Sequence, residues 1–162
     1  MILHLSKSLT SPVPAPESVD GVNVRTFAGE ADIAVWLRMR EESFVEESPV
    51  VGRWDRADVA RELLDKPWWR PELTWFALAE DAAGVTVEVG TITLALRQTP
   101  SKAVAAVHWL MVLPAYRHRG IAQLLLQTLE QRAQQQGFTE IHLETHRRWQ
   151  SAVKFYEAAG YH

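Results

Sequence analysis

A strand, a basic turn and an amphipathic helix follow one another between Lys102 and Gly137, and this unit restricts the fold more than any other part of the chain. Lys102 to Leu113 is an apolar run with few polar interruptions, the pattern of a strand covered on both faces. Pro114 ends it, because proline has no N–H to give to a ladder. Beyond the turn, Ile121, Leu124, Leu125, Leu129 and Ala133 recur at helical spacing, and Gly137 closes the helix. Glu140 to Thr145 (EIHLET) reads as the next strand. A strand–helix–strand unit of this kind predicts a parallel pair joined by a right-handed crossover.

The remaining elements come in a mixed order. Val22 to Phe27 alternates as a short strand, and Ala31 to Arg40 carries Ile33, Trp36 and Leu37 at helical spacing. Glu41 to Trp54 reads as an irregular acidic connection. Asp55 is a natural N-cap for a helix running to about Asp65, which Lys66-Pro67 ends. Thr74 to Glu80 and Thr86 to Arg97 form a predicted hairpin around Asp81-Ala82-Ala83-Gly84. Gln150 to Ala159 is a last helix, stopped by Gly160. The whole predicts an α/β domain on a mixed sheet spanning residues 21–162, with residues 1–20, rich in Ser and Pro, as a flexible lead-in.

Composition narrows the chemistry. There is no cysteine, so disulfides and thiolate metal sites are excluded and a reducing, cytoplasmic setting is expected. A net charge of -3 gives no general attraction to nucleic acid or an anionic membrane. No apolar run approaches the roughly 20 residues that span a bilayer, and the first residues lack a signal-peptide core. His108, His118, His142 and His146 form no known ligand spacing, so no metal is expected.

The turn Arg117-His118-Arg119-Gly120-Ile121-Ala122 has the make-up of an anion site. Free N–H groups and the dipole at a helix N-terminus favour a phosphate. Gly120 and Ala122 allow close backbone approach, and Arg117 and Arg119 add positive charge. A plain basic strand–helix turn is the structural alternative. No Gly-Lys-Ser/Thr follows the glycine, which argues against a P-loop.

Arg117-x-x-Gly120-x-Ala122 resembles the Arg/Gln-x-x-Gly-x-Gly/Ala signature of the GNAT superfamily of N-acetyltransferases. Ala152-Val-Lys-Phe-Tyr156-Glu-Ala-Ala-Gly160-Tyr161 resembles that family's second block. The resemblance covers roughly Gly21 to the C-terminus and implies a GNAT-like acyl-CoA N-acyltransferase fold. It implies that the amides of Arg117, His118, Arg119, Gly120, Ile121 and Ala122 hold the pyrophosphate of acetyl-CoA. Leu110, Met111 and Val112 would pair with the pantetheine arm, and an amine would attack the thioester directly in a ternary complex. Tyr156 aligns with the tyrosine that protonates the leaving thiolate; packing of a Phe155-Tyr156 pair is the alternative.

Two candidates stand for the general base. His108 lies four residues before Val112, on the same face of the strand. It resembles a relay histidine of the arylalkylamine acetyltransferases, against the plainer role of a hydrogen-bonded core residue. Glu144 is the second, and it could equally be a solvated carboxylate or a partner for Arg147 or Arg148. Glu41, Glu42, Glu46 and Glu47 fall where the family binds its acceptor, so they either attract a cation or form a solvated loop. Trp54 to Trp75, rich in tryptophan, suits a small amphipathic acceptor, with helix packing as the alternative.

The pattern departs from the family twice. Trp149 stands where many relatives place an asparagine against the pantetheine, so Trp149 or Gln150 would take that contact. The family also continues past Gly160-Tyr161 with one or two strands, and this chain stops at His162. Glu140 to Thr145 would then be an open sheet edge unless a partner subunit, as in a homodimer, covers it. The expected partner is otherwise a small-molecule or peptide amine, not nucleic acid or membrane. The function so implied is acetyl transfer from acetyl-CoA to a primary amine; a non-catalytic acyl-CoA sensor or scaffold is the alternative.

Overall fold

A computed structural model describes residues 1–44 and 52–162. Six strands make one mixed sheet: β1 (Ile2–Ser8), β2 (Asn23–Thr26), β3 (Thr74–Glu80), β4 (Thr86–Gln98), β5 (Ala103–Val112) and β6 (Glu140–His146). Their spatial order is β1-β6-β5-β4-β3-β2. Only β5 and β6 run parallel; every other neighbouring pair is antiparallel. The predicted parallel pair is therefore present, with α3 (Ile121–Gln135) as its crossover.

The helices divide between the two faces. On one, α3 buries Ile121, Leu125, Leu129 and Ala133 against Val89, Leu94, Val107 and Leu143, and α4 (Gln150–Ala158) adds Tyr156. On the other, α1 (Ala31–Ser43) sets Ile33, Trp36 and Met39 against Phe76, Met111 and Leu113. Arg25 of β2 grips Asp32 of α1 with both terminal nitrogens at 2.8 Å, which fixes that helix to its sheet edge. The helix continues to Ser43, three residues beyond the predicted end, because Met39 and Ser43 remain buried. After the Asp55 capping box, α2 (Arg56–Val59) runs into a π-helical turn over Ala60–Leu64.

The first twenty residues depart from the expected lead-in. Ile2 to Ser8 is an edge strand paired antiparallel along β6, from Ile2↔His146 to Ser8↔Glu140. Leu3 and Leu5 alternate with His4 and Ser6, so the segment carries the period of two that a half-buried strand requires. Beyond it the chain runs as a strap along α3. Gln134 Nε2 donates to the carbonyls of Leu9 and Ser11, and Glu17 N–H donates to Gln127 Oε1. The edge of β6 that was expected to stand open is thus covered by the chain's own N-terminal strand. His162 adds reciprocal backbone bonds to Ser6 on the outer side of β1, each at 3.0 Å. Among the described residues, no helix is long and apolar enough to cross a membrane.

Candidate active site

The parallel pair opens into a fork. Hydrogen-bonded register between β5 and β6 is limited to Ala105↔Ile141 through Val107↔Leu143, whereas β5 runs on to Val112 and β6 to His146. Among the described residues, β5 from His108 onward keeps β4 on one side and has no strand on the other. The β4–β5 register also shifts between Thr91 and Thr93, setting Trp109 and Leu110 opposite the single residue Ile92. This is a β-bulge, and Trp109 sits in it at φ 53. A bulky residue at positive φ costs about 1–3 kcal/mol and persists only where packing enforces it. Here the indole is wedged edge-on against Trp36 at 5.2 Å and Trp54 at 5.3 Å. Leu110, Met111 and Val112 follow the bulge along the open edge; the Val112 carbonyl is taken by Arg117, and the other free backbone groups there can receive an extended ligand as a strand would.

At the end of that edge lies the turn into α3. Among the described residues, the backbone N–H groups of His118, Arg119, Gly120, Ile121 and Ala122 make no hydrogen bond, and the first helical bond is Leu124 N–H to Gly120 C=O. Gly120 is left-handed at φ 83 and so is His118 at φ 61. Left-handed residues beside extended ones curl successive amides into an anion-binding concavity. Gly90 lets the helix lie close to the sheet: a Cβ there would lie 3.1 Å from the Leu125 side chain and 3.3 Å from that of Ile121, so these would have to give by a few tenths of an ångström. Arg119 stacks over Tyr116 at 5.2 Å and faces solvent beside the amides. Arg117 does something else. Its Nε donates to Val112 C=O at 3.0 Å and its Nη2 to Ser43 C=O at 2.9 Å, so its side chain ties α1 to the turn instead of standing free for a phosphate.

Trp149 and Gln150 lie across the fork, at the start of α4 just beyond β6. The Trp149 ring is 38% exposed and meets Phe44, at the end of α1, at 6.0 Å. Tyr156 is one turn and a half deeper, buried on the α3–α4 side with Phe155 and Tyr161 around it. Its hydroxyl has no hydrogen-bond partner among the described residues, whereas the neighbouring Tyr161 hydroxyl donates to Glu130. Burial pushes the Tyr156 phenol well above its usual range, so it stays protonated.

His108 and Glu144 emerge on the opposite face. A cavity of about 270 Å³ adjoins the root of the fork there, lined by His4, Arg97, Ala106, His108, His142 and Glu144 among others. Arg97 Nη2 donates to His108 Nε2 at 2.6 Å, and since guanidinium has only donors, the imidazole proton must sit on Nδ1. Trp68 stacks on the same imidazole at 4.7 Å. Burial, reinforced by the Arg97 charge, lowers His108 to about 4. It is therefore neutral at pH 7, with its lone pair occupied. Glu144 is largely exposed and meets His4 Nδ1 at 3.4 Å, not Arg147 or Arg148. Glu41 pairs with Arg53 at 2.8 Å; Glu46 and Glu47 lie outside the described residues. No group of three or more acidic or imidazole side chains among the described residues is arranged to hold a metal ion.

Sequence reasoning missed His4, Arg97 and His142 at this cavity. His142 had a signal, since it precedes Glu144 by two residues on one strand and must share its face. His4 had none once its segment was taken to lie outside the domain. Arg97 depends on the β4–β5 register, which the bulge sets.

The fork between the parallel strands leads into a helix N-terminus with free amides. The model of the Acetyltransferase (GNAT) family matches residues 36–161, and the chain belongs to that family. It is 28% identical over 158 residues to a mycothiol acetyltransferase of Thermobispora bispora, covering 98% of this chain and 52% of that protein. A mycothiol acetyltransferase of Salinispora tropica is 29% identical over 163 residues, with 99% and 51% covered. The chain spans about half the length of these curated relatives. Among solved structures, a GCN5-related N-acetyltransferase from Sphaerobacter thermophilus superposes with a TM-score of 0.73 at 25% identity, over 99% of this chain and 47% of that one.

Proposed function

We propose that the chain transfers the acetyl group of acetyl-CoA to a primary amine by direct attack in a ternary complex. The observation that carries this reading is the continuous path from the open edge of β5 to the unbonded amides of residues 118–122. Leu110, Met111 and Val112 would hold the pantetheine, and the amides of the turn, aided by Arg119, its pyrophosphate. Trp149 and Gln150 would flank the acyl arm from the far side of the fork. Acetyl-CoA supplies the activated carbonyl: the amine nitrogen forms a bond to it, the C–S bond breaks, and the sulfur takes up a proton.

The two faces of the sheet suit a division of labour. Tyr156, protonated and without a partner for its hydroxyl, can donate toward the sulfur as charge builds there. On the other face, Glu144 is the better base, because His108 has its Nε2 lone pair engaged and its basicity suppressed. That same suppression favours a second reading, an acyl-CoA sensor without efficient turnover. The relatives' names point to an acetyltransferase, and an acceptor like theirs belongs in the trial set.

The test is amine-dependent release of CoA from acetyl-CoA across a panel that includes small amines, amino acids and desacetylated mycothiol. Tyr156→Phe should lower kcat by about 10²–10⁴-fold with acetyl-CoA binding retained, and Glu144→Gln should behave similarly. Saturable acetyl-CoA binding with no release in any amine would instead establish the sensor.

A further inference from the structure

The cavity beside the fork holds one guanidinium and one carboxylate that no opposite full charge satisfies among the described residues. Arg97 is held by two contacts, its hydrogen bond to His108 and its stacking over Trp68 at 5.5 Å. Only one of its five N–H groups is used in that bond, so a planar fork of donors remains free on a side chain already oriented. Glu144, across the cavity on β6, meets only the His4 imidazole. Register places both acting groups near one level of the sheet. Arg97 reaches along β4 to His108, and Glu144 follows Leu143, the last residue of β6 paired with β5.

Resting on the transferase reading above, we infer that this cavity takes an amine acceptor that carries a carboxylate, with Arg97 binding the carboxylate and Glu144 receiving the ammonium. The charges match a zwitterion, one of each sign along the same face of the sheet, on β4 and β6 with β5 between them. Guanidinium–carboxylate pairing is planar and bidentate, which fixes direction as well as attraction. The volume, about 270 Å³, lies just under the roughly 300–1,000 Å³ of pockets that hold drug-sized ligands, so the acceptor is small. The cavity reaches His108 and Trp109, where β5 leaves β6, so an ammonium held by Glu144 faces the fork that would hold the thioester. Arg97 is thus a specificity residue, and His108 and Trp68 are the positioning residues that hold it.

The experiment compares kcat/KM for α-amino acids with kcat/KM for the matching α-amino amides, in the wild type, Arg97→Gln and Arg97→Lys. The acid should be preferred at least ten-fold in the wild type, through KM. In Arg97→Gln the acid-to-amide ratio should fall to within about three-fold of one, and Arg97→Lys should lie between. Arg97 is exposed, and an unchanged acetyl-CoA-induced rise in unfolding temperature verifies that each variant folds and binds. Turnover with equal use of acids and amides, or a preference that survives Arg97→Gln, overturns this inference and leaves the transferase reading standing. Acetyl-CoA binding with no turnover of any amine overturns both.

Discussion

The two faces of the sheet are built on different terms. Under α3 and α4 the packing is mainly aliphatic, with Leu125, Leu129, Ala133 and Ile141 fully buried and Tyr156 and Tyr161 in edge contact beside them. The one charge there, Glu130 at 3% exposure, is met by Lys7 Nζ at 3.0 Å and by the Tyr161 hydroxyl at 2.9 Å. The α1 face carries stacked indoles, a strained Trp109, and an open half over β5, β6 and β1 where His4, Arg97, His108 and Glu144 gather. Apart from the Tyr156 hydroxyl, the buried polar groups named on the first face are completed by the protein, whereas on the second Arg97 and Glu144 keep free capacity for a ligand. The fold is held on one side of the sheet so that the other can remain unfinished.

That contrast breaks most directly by substitution on each face. Leu129→Ala should lower stability by about 2–5 kcal/mol, since the residue is wholly buried and its removal leaves a cavity. Glu144→Gln should stay within about 0.5 kcal/mol, as exposed substitutions do. Urea unfolding of both variants decides, and comparable losses would erase the distinction between the faces.

A smaller effect tests whether β1 belongs to the structural side. Lys7→Met removes one partner of Glu130 and should cost about 1–3 kcal/mol, because a buried acceptor loses a charged donor. A null result in the same urea assay would mean that the N-terminal strand contributes little beyond its ladder.

The unfinished face also predicts a pH signature. His108 titrates at about 4 when folded, against 6.5 for the free side chain, through burial first and Arg97 second. A lowered histidine means that the unfolded chain binds a proton the folded chain refuses. Its contribution is whole above pH 6.5 and is lost as pH falls from there toward 4. His108→Gln should flatten that part of the stability curve, measured as urea midpoints at pH 7 and 4.5. An unchanged slope would place the histidine in a wetter setting.

The helix–turn unit and the hairpin were legible because local chemistry determines them. Pro114, Gly120 and Gly137 punctuate the chain, and the stripe from Ile121 to Ala133 has one consistent period. The strand ends at Glu80 and Gln98 fell at or next to the predicted limits. β1 was not legible, because seven residues of alternation lie beside a Ser/Pro-rich strap and only β6, far along the chain, gives them a partner. The same holds for the cavity. His108 and Glu144 could be named singly, but Arg97 and His4 reach them only through register across four strands. Arg117 shows the limit from the other side. Its motif marked the turn correctly, while its guanidinium turned to the carbonyls of Val112 and Ser43.

The most direct test of the account is thermal unfolding with increasing acetyl-CoA, in the wild type and in Gly120→Glu. A ligand that binds only the folded state raises the midpoint in a saturable way. The wild type should shift and the variant should not, since glutamate at a left-handed position sets a carboxylate among the amides of residues 118–122. A folded wild type whose midpoint ignores acetyl-CoA, or a variant that shifts as the wild type does, would contradict the placement of the cofactor at that turn.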